Sequence, residues 1–105
     1  MNAFKKIYSV TSLIPKGKVL TYKKISDMLN LKNPRIVGFA LHVNKNPKEI
    51  PCHRVVKSNG TLACGYAFGG TKKQKEKLQE EKVLFLDKNT VDLKNSLFNP
   101  SPPGQ

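Results

Sequence analysis

The 105-residue sequence has few acidic residues and only two cysteines, Cys52 and Cys64. One disulfide is possible by count, but no apolar signal-peptide core follows the first residues, so we expect a reduced, cytoplasmic setting. No apolar run is long enough to cross a membrane, so we expect no membrane partner. The histidines His42 and His53 add metal-ligating types, but the absence of any CxxC pair argues against zinc. We therefore expect neither a metal nor a cofactor.

Acidic residues are scarce against a large excess of basic ones. The chain has 19 Lys and Arg against 7 Asp and Glu, which gives a formal net charge of +12. The excess is uneven, because residues 1–50 hold ten basic residues against two acids, Asp27 and Glu49. A small domain this basic typically binds a polyanion, most often nucleic acid. A solvated lysine coat is the alternative, and the uneven distribution favours a basic face.

We expect a mainly helical domain with a short β-hairpin and a winged-helix-like helix-turn-helix core. Helices are expected at about 4–14, 22–29 and 35–43. Pro15 ends the first, Thr21 caps the second, and Asn33 with Pro34 begins the third. Two short helices joined by a tight turn in a basic chain are typical of a helix-turn-helix, although a buried helical hairpin fits the same pattern.

The second half of the chain carries hairpin and capping signals. The turn signal Asn59-Gly60 predicts that strand 55–56 pairs with a return arm at 61–63. Thr71 and Gln74 have the spacing of a capping box for a helix at about 72–81. We expect one domain over residues 1–98 and a flexible tail over 99–105, where three prolines lie.

The stretch Pro51-Cys52-His53-Arg54-Val55-Val56 is the strongest chemical signal. A thiol attacks as the thiolate, and the neighbouring His and Arg favour that form. The alternative is an inert cysteine, because buried cysteine usually behaves as a small hydrophobe. The rest of the chain favours a nucleophile.

Several separated motifs together resemble one known family. They are Gly17–Tyr22, Pro34–Gly38, Asn44, Ile50–Val56, and Tyr66 with Gly69-Gly70. In order and spacing they resemble the C-terminal, DNA-binding domain of the O6-alkylguanine-DNA alkyltransferases, from about Phe4 to Leu86. The resemblance implies an alkyltransferase-type fold, a monomer, and double-stranded DNA carrying O6-alkylguanine as partner.

The resemblance also implies roles for individual residues in catalysis. Cys52 matches the alkyl acceptor, and His53 matches the base that takes the thiol proton through a water. Glu81 matches the carboxylate behind that histidine, with Glu80 as the fallback. Asn44 matches a buried asparagine that braces the turn. No cofactor takes part in this chemistry.

A second set of residues is implied at the DNA and at the substrate pocket. The DNA-binding residues are Tyr22, Arg35, Phe39 and Ala40, and the pocket residues are Tyr22, Val55 and Tyr66. Tyr22 would push on the DNA backbone and donate to the departing guanine, and Arg35 would fill the stack vacated by the flipped base. Phe39 and Leu41 are bulkier than the residues many members place there, which would hinder close approach to the minor groove.

The expected function is repair by irreversible transfer of an alkyl group from guanine O6 to Cys52. A related subgroup, the alkyltransferase-like proteins, replaces this cysteine, binds lesions without repairing them and recruits other factors, including nucleotide-excision-repair proteins. The short length is typical of that subgroup, whereas the retained Cys52 argues against it. A general basic DNA-binding domain with an inert Cys52 is the third alternative.

Overall fold

The first half of the domain is helical, and its second and third helices begin beside the predicted capping residues Thr21 and Asn33. The computed structural model describes residues 2–62 and 69–99. The Thr21 hydroxyl accepts a hydrogen bond from the backbone N–H of Lys24 at 3.0 Å. The Asn33 side chain accepts one from the N–H of Arg35, also at 3.0 Å. Each cap satisfies a backbone donor that the helix itself leaves unpaired.

The described residues form five α-helices, one 3₁₀ turn and two short strands. In chain order they are α1 Ala3–Ser12, β1 Leu20–Thr21, α2 Tyr22–Met28, α3 Arg35–His42, the 3₁₀ turn Cys52–Arg54, β2 Val55–Val56, α4 Gly70–Glu80 and α5 Leu93–Ser96. The mostly helical fold class is confirmed. None of these helices is long and apolar enough to span a lipid bilayer.

The two strands pair with each other, which corrects the predicted hairpin. β1 and β2 are parallel, with Leu20 opposite Val55. The turn at Asn59-Gly60 does form, and it is closed by a 2.9 Å hydrogen bond from the Lys57 N–H to the Thr61 carbonyl. Beyond it, however, Thr61 bridges to Thr90 in antiparallel fashion. The turn signal therefore predicted the turn correctly but not the strand partner. β2 pairs with β1, and both of these strands are buried.

The short parallel sheet separates two hydrophobic clusters. The larger cluster packs α1, α2 and α3 together and includes Cys52 and Val55. The smaller one gathers Val56, Leu78 and the segment around Val91. Because successive side chains of a strand point to opposite faces, Val55 and Val56 belong to different clusters. The 3₁₀ turn just before β2 is therefore fixed between both cores.

The last long helix starts without the predicted capping box. α4 begins at Gly70, after Gly69, which has a φ of 120°. Thr71 lies inside the helix and makes no capping hydrogen bond. Gln74 is buried, with 1% of its surface exposed. Its side chain points to the 3₁₀ turn, where it donates to two backbone carbonyls. The same side chain cannot also cap the start of α4.

Three predictions fall on residues outside the described ranges. They are the end of the return arm at Ala63, the pocket residue Tyr66, and the tail beyond Asn99.

Two glycines give a matched test of the backbone. Gly60 has a φ of 89°, and a Cβ there would lie 2.8 Å from the Val91 carbonyl oxygen. Gly38 lies inside α3, where a Cβ would meet nothing within 4 Å. We expect Gly60→Ala to lower the free energy of unfolding by about 1–3 kcal/mol. Gly38→Ala should raise it by about 0.5–1 kcal/mol, since Gly is a poor helix former.

Urea unfolding of the three proteins, followed by circular dichroism, measures both changes. Equal stability of the Gly60→Ala protein and the parent would mean that this turn tolerates a side chain, contrary to its geometry.

Candidate active site and nucleic-acid interface

Cys52 opens the 3₁₀ turn and is buried, with 4% of its surface exposed. The turn is held from the N-terminal side by Asn44, which is itself buried. The Asn44 Nδ2 donates to the Ile50 carbonyl at 2.9 Å, and its Oδ1 accepts from the Asn46 N–H at 2.9 Å. Asn44 therefore fixes the loop that leads into Pro51, as its predicted bracing role requires.

His53 and Glu81 are in direct contact, although 28 residues separate them in sequence. The His53 Nε2 lies 3.0 Å from Glu81 Oε1. Glu81 follows the last residue of α4, so the helix delivers the carboxylate to the turn. Glu80, the fallback, is exposed to solvent. The other ring nitrogen of His53, Nδ1, is buried and has no hydrogen-bond partner among the described residues.

Arg54 fixes the orientation of the Glu81 carboxylate. Its Nε donates to Glu81 Oε1 at 2.9 Å, and a second guanidinium nitrogen donates to Oε2. The remaining nitrogen donates to the Ile14 carbonyl at 2.7 Å, in the loop after α1. This helix ends at Ser12, so the prediction that Pro15 ends it is wrong. Such a two-point pairing of Arg with a carboxylate is strong and directional. Sequence reasoning assigned Arg54 to the thiolate, whereas the structure commits it to Glu81.

The pKa shifts of Cys52, His53 and Glu81 indicate which of these groups is charged and which is neutral. Burial raises the pKa of the Cys52 thiol, more than the hydrogen bond from Asn44 and the charge of Lys77 lower it. Burial lowers the pKa of His53, and the pull of Glu81 in the opposite direction does not compensate. Burial alone would raise the pKa of Glu81, but Arg54 and His53 outweigh it and lower the pKa.

At neutral pH the site therefore holds a protonated thiol, a neutral imidazole and an ionised carboxylate. The expectation that His53 and Arg54 favour the Cys52 thiolate in the resting protein is wrong, because burial dominates. A neutral imidazole has one nitrogen that donates and one that accepts. Since the ionised Glu81 can only accept, Nε2 carries the proton and Nδ1 is the acceptor. This tautomer makes His53 a competent base for a nearby thiol.

Gln74 supports the turn from below, and no sequence signal identified it. Its Nε2 donates to the carbonyls of both His53 and Val55, each at 3.1 Å. Gln74 and Glu81 lie seven positions apart, two helical turns, on the face of α4 that meets the turn. The spacing of Thr71 and Gln74 had predicted a capping role for Gln74 instead.

Tyr8 is a second residue whose role no sequence signal identified. Its hydroxyl donates to the Ala40 carbonyl at 2.6 Å, which joins α1 to α3. Burial raises the pKa of Tyr8, and the negative charge that Cys52 carries once it is a thiolate adds to the rise, so the phenol lies in the electrostatic range of that sulfur.

The residues predicted to contact DNA divide into surface and core. Tyr22, Arg35 and Phe39 line one cavity of about 370 Å³ between α2 and α3. Arg35 is exposed at the first turn of α3, where its charge opposes the helix dipole. Ala40 is fully buried. The assignment of Ala40 to the DNA surface is therefore wrong, because it faces the core.

Two further residues differ from their expected exposure. Leu41 is buried, so of the two bulky residues on α3 only Phe39 adds volume to the surface. Val55 is also fully buried, and its carbonyl accepts from Gln74. No group of three His, Cys, Asp or Glu in the described ranges is arranged to hold a metal ion.

Comparison with known proteins identifies similar sequences. The family model "6-O-methylguanine DNA methyltransferase, DNA binding domain" matches residues 2–83. A methylated-DNA–protein-cysteine methyltransferase from Candida glabrata is 45% identical over 89 residues, which cover 81% of this chain and 42% of the relative. One from Methanocaldococcus jannaschii is 46% identical over 70 residues, or 67% of this chain and 40% of the relative. The chain thus spans about two fifths of these relatives.

Two solved structures share the fold. S. pombe Atl1, in complex with damaged DNA containing O6-carboxymethylguanine, superposes with a TM-score of 0.81 at 29% identity, covering 92% of this chain and 94% of that one. Mycobacterium tuberculosis OGT in complex with DNA gives a TM-score of 0.71 at 29% identity, covering 78% of this chain and 49% of that one.

The support from Gln74 is testable by substitution. Gln74→Leu keeps the buried volume but removes both hydrogen bonds and leaves two carbonyls short of a donor. We expect the free energy of unfolding to fall by about 1–3 kcal/mol. Gln79→Leu on the exposed side of α4 is the matched control and should change little. Urea denaturation measures both, and equal effects of the two substitutions would contradict the proposed support.

Proposed function

Since the chain belongs to the 6-O-methylguanine DNA methyltransferase family through its DNA-binding domain, we propose that it transfers alkyl groups from O6-alkylguanine in DNA to Cys52. The observation that carries the proposal is the pairing of His53 with Glu81 beside a retained cysteine. The hydrogen bond from His53 Nε2 to Glu81 leaves Nδ1 as a buried acceptor, and a buried acceptor without a partner is costly. A water between Nδ1 and the Cys52 thiol would satisfy this acceptor and carry the thiol proton to it.

The proposed reaction is a displacement at the alkyl carbon. His53 takes the thiol proton, and the Cys52 sulfur forms a bond to the alkyl carbon while the bond from that carbon to guanine O6 breaks. The electron pair of the broken bond passes to guanine, and Tyr22 is the proposed donor of a proton there, a role that rests on the family resemblance. The protonated His53 then gives up its proton to solvent and Tyr22 regains one from solvent, so in sum one alkyl group moves from oxygen to sulfur and one proton from sulfur to guanine. The thioether is stable, so each molecule reacts once.

The DNA surface of the proposal is the helix-turn-helix formed by α2 and α3. A base inside a duplex is out of reach of a buried thiol, so the guanine must be flipped out, at a cost of a few kcal/mol. Arg35 is exposed at the start of α3 and is suited to fill the vacated stack. The excess positive charge supplies the general attraction to phosphate.

A second candidate function is lesion sensing without repair. It is favoured by the higher TM-score of the match to S. pombe Atl1, 0.81, against 0.71 for M. tuberculosis OGT. A sensor would bind O6-alkylguanine selectively and recruit other repair factors. The retained Cys52 supports transfer over sensing.

Intact-protein mass separates the alternatives. After incubation with a duplex that carries O6-methylguanine, the protein should gain one methyl group in place of a hydrogen, mapped to the Cys52 peptide. Cys52→Ala should abolish the gain and retain selective binding of the lesion. Selective binding by the parent without a mass change would support the sensor, and methylation mapped to Cys64 would sink the assignment of Cys52.

The pH dependence of transfer tests the role of His53. The pKa of His53 is lowered from 6.5, so the imidazole is neutral at neutral pH and gains a proton only on acidification. The single-turnover rate should be level near neutral pH and should fall by about tenfold per pH unit below the His53 pKa. Circular dichroism at each pH controls for unfolding. A rate that instead climbs with thiol ionisation up to alkaline pH would remove His53 as the base.

A further inference from the structure

We infer that the groove between α2 and α3 holds an unstacked nucleobase against the ring of Phe39, a base other than the one that reacts at Cys52. The inference rests on the proposed binding of DNA. Phe39 is 60% exposed, although burial of a phenylalanine side chain is strongly favourable. The exposed ring therefore leaves free energy available to a ligand that covers it.

The groove has the shape of a site for a flat ring. Its cavity of about 370 Å³ is lined by Tyr22, Pro34, Arg35, Gly38 and Phe39. Phe39 and Arg35 are four positions apart, so they lie on the same face of α3. Gly38 leaves the space between them open, since a Cβ there would meet nothing within 4 Å.

The Phe39 ring is held from behind. The ring centroid of Phe4 on α1 lies 5.7 Å from that of Phe39, with an angle of 45° between the planes. Phe4 in turn contacts Tyr8, with centroids 6.2 Å apart. Because these contacts restrict the ring before a ligand arrives, less conformational entropy is lost when a base stacks on it.

The charges around the groove identify the ligand as part of a nucleic acid. Arg35 lines the groove itself, and an adjoining cavity of about 410 Å³ shares Tyr22 and Pro34. That cavity is also lined by Lys57 and by Lys23, which is paired with Asp27 at 3.0 Å. An aromatic ring flanked by cations is the arrangement that binds single-stranded nucleic acid, where the ring stacks a base and the cations follow the phosphates. An apolar peptide segment would make no use of these cations.

The test compares two substitutions of the same ring in the Cys52→Ala background, where no transfer takes place. Phe39→Leu keeps apolar volume against Phe4 but has no aromatic face, and Phe39→Tyr keeps the face. Fluorescence anisotropy with a labelled duplex that contains one mismatch gives the affinity. We expect Phe39→Leu to weaken binding by about tenfold and Phe39→Tyr to bind as the parent does. Leu13→Ala, at another exposed apolar position on the same domain, should have no effect.

The salt dependence distinguishes stacking from phosphate contact. The slope of log affinity against log salt should be the same for Phe39→Leu and the parent, because no cation is lost, whereas Lys57→Ala should reduce it. Unchanged affinity of Phe39→Leu, an equal loss in Phe39→Tyr, or a reduced slope in Phe39→Leu would each overturn the inference. A groove that serves a protein partner would give the first of these results.

The two proposals can fail separately. If the parent gains no mass on O6-methylguanine but Phe39→Leu still weakens DNA binding, transfer is wrong and stacking stands. If the mass gain occurs and Phe39→Leu binds normally, the reverse holds.

Discussion

The site depends on one ionised carboxylate, that of Glu81. It is held at two points by Arg54, which also anchors the carbonyl of Ile14, so the carboxylate is fixed to the N-terminal half of the domain. Because an ionised carboxylate only accepts hydrogen bonds, it determines that His53 presents its proton at Nε2. The unprotonated Nδ1 is thereby kept in the interior. Protonation of Glu81 would release both partners at once.

The fold brings these groups together from distant parts of the chain. The parallel strands place the 3₁₀ turn between two hydrophobic clusters, and α4 packs against that turn. Along α4, Gln74 binds the backbone of the turn and Glu81 binds its side chains. A single helix therefore sets both the position of the nucleophile turn and the tautomer of its histidine. The helix-turn-helix packs in the larger cluster, where the hydrogen bond from Tyr8 to the Ala40 carbonyl connects it to α1.

The sequence predicted the local features well and the distant contacts poorly. Thr21 and Asn33 begin their helices as predicted, because capping depends on a few adjacent residues. The contact of His53 with Glu81 was expected only through the family resemblance, since periodicity carries no information on such a pairing. Gln74 satisfied a capping pattern but serves the turn, because its buried position satisfies two carbonyls. The parallel pairing of β1 with β2 joins segments far apart in sequence. The turn signal at Asn59-Gly60 lies close to β2 and therefore predicted the wrong partner for that strand.

The most direct test of this account is the protonation state of the His53 ring, measured by nitrogen NMR. In ¹⁵N-histidine-labelled protein with His42→Asn, only His53 contributes. At neutral pH the account predicts a neutral ring with the proton on Nε2 and an unprotonated Nδ1, and a change of this pattern in Glu81→Gln. A ring protonated on Nδ1, or on both nitrogens, at neutral pH would contradict the assignment of His53 as the base that activates Cys52.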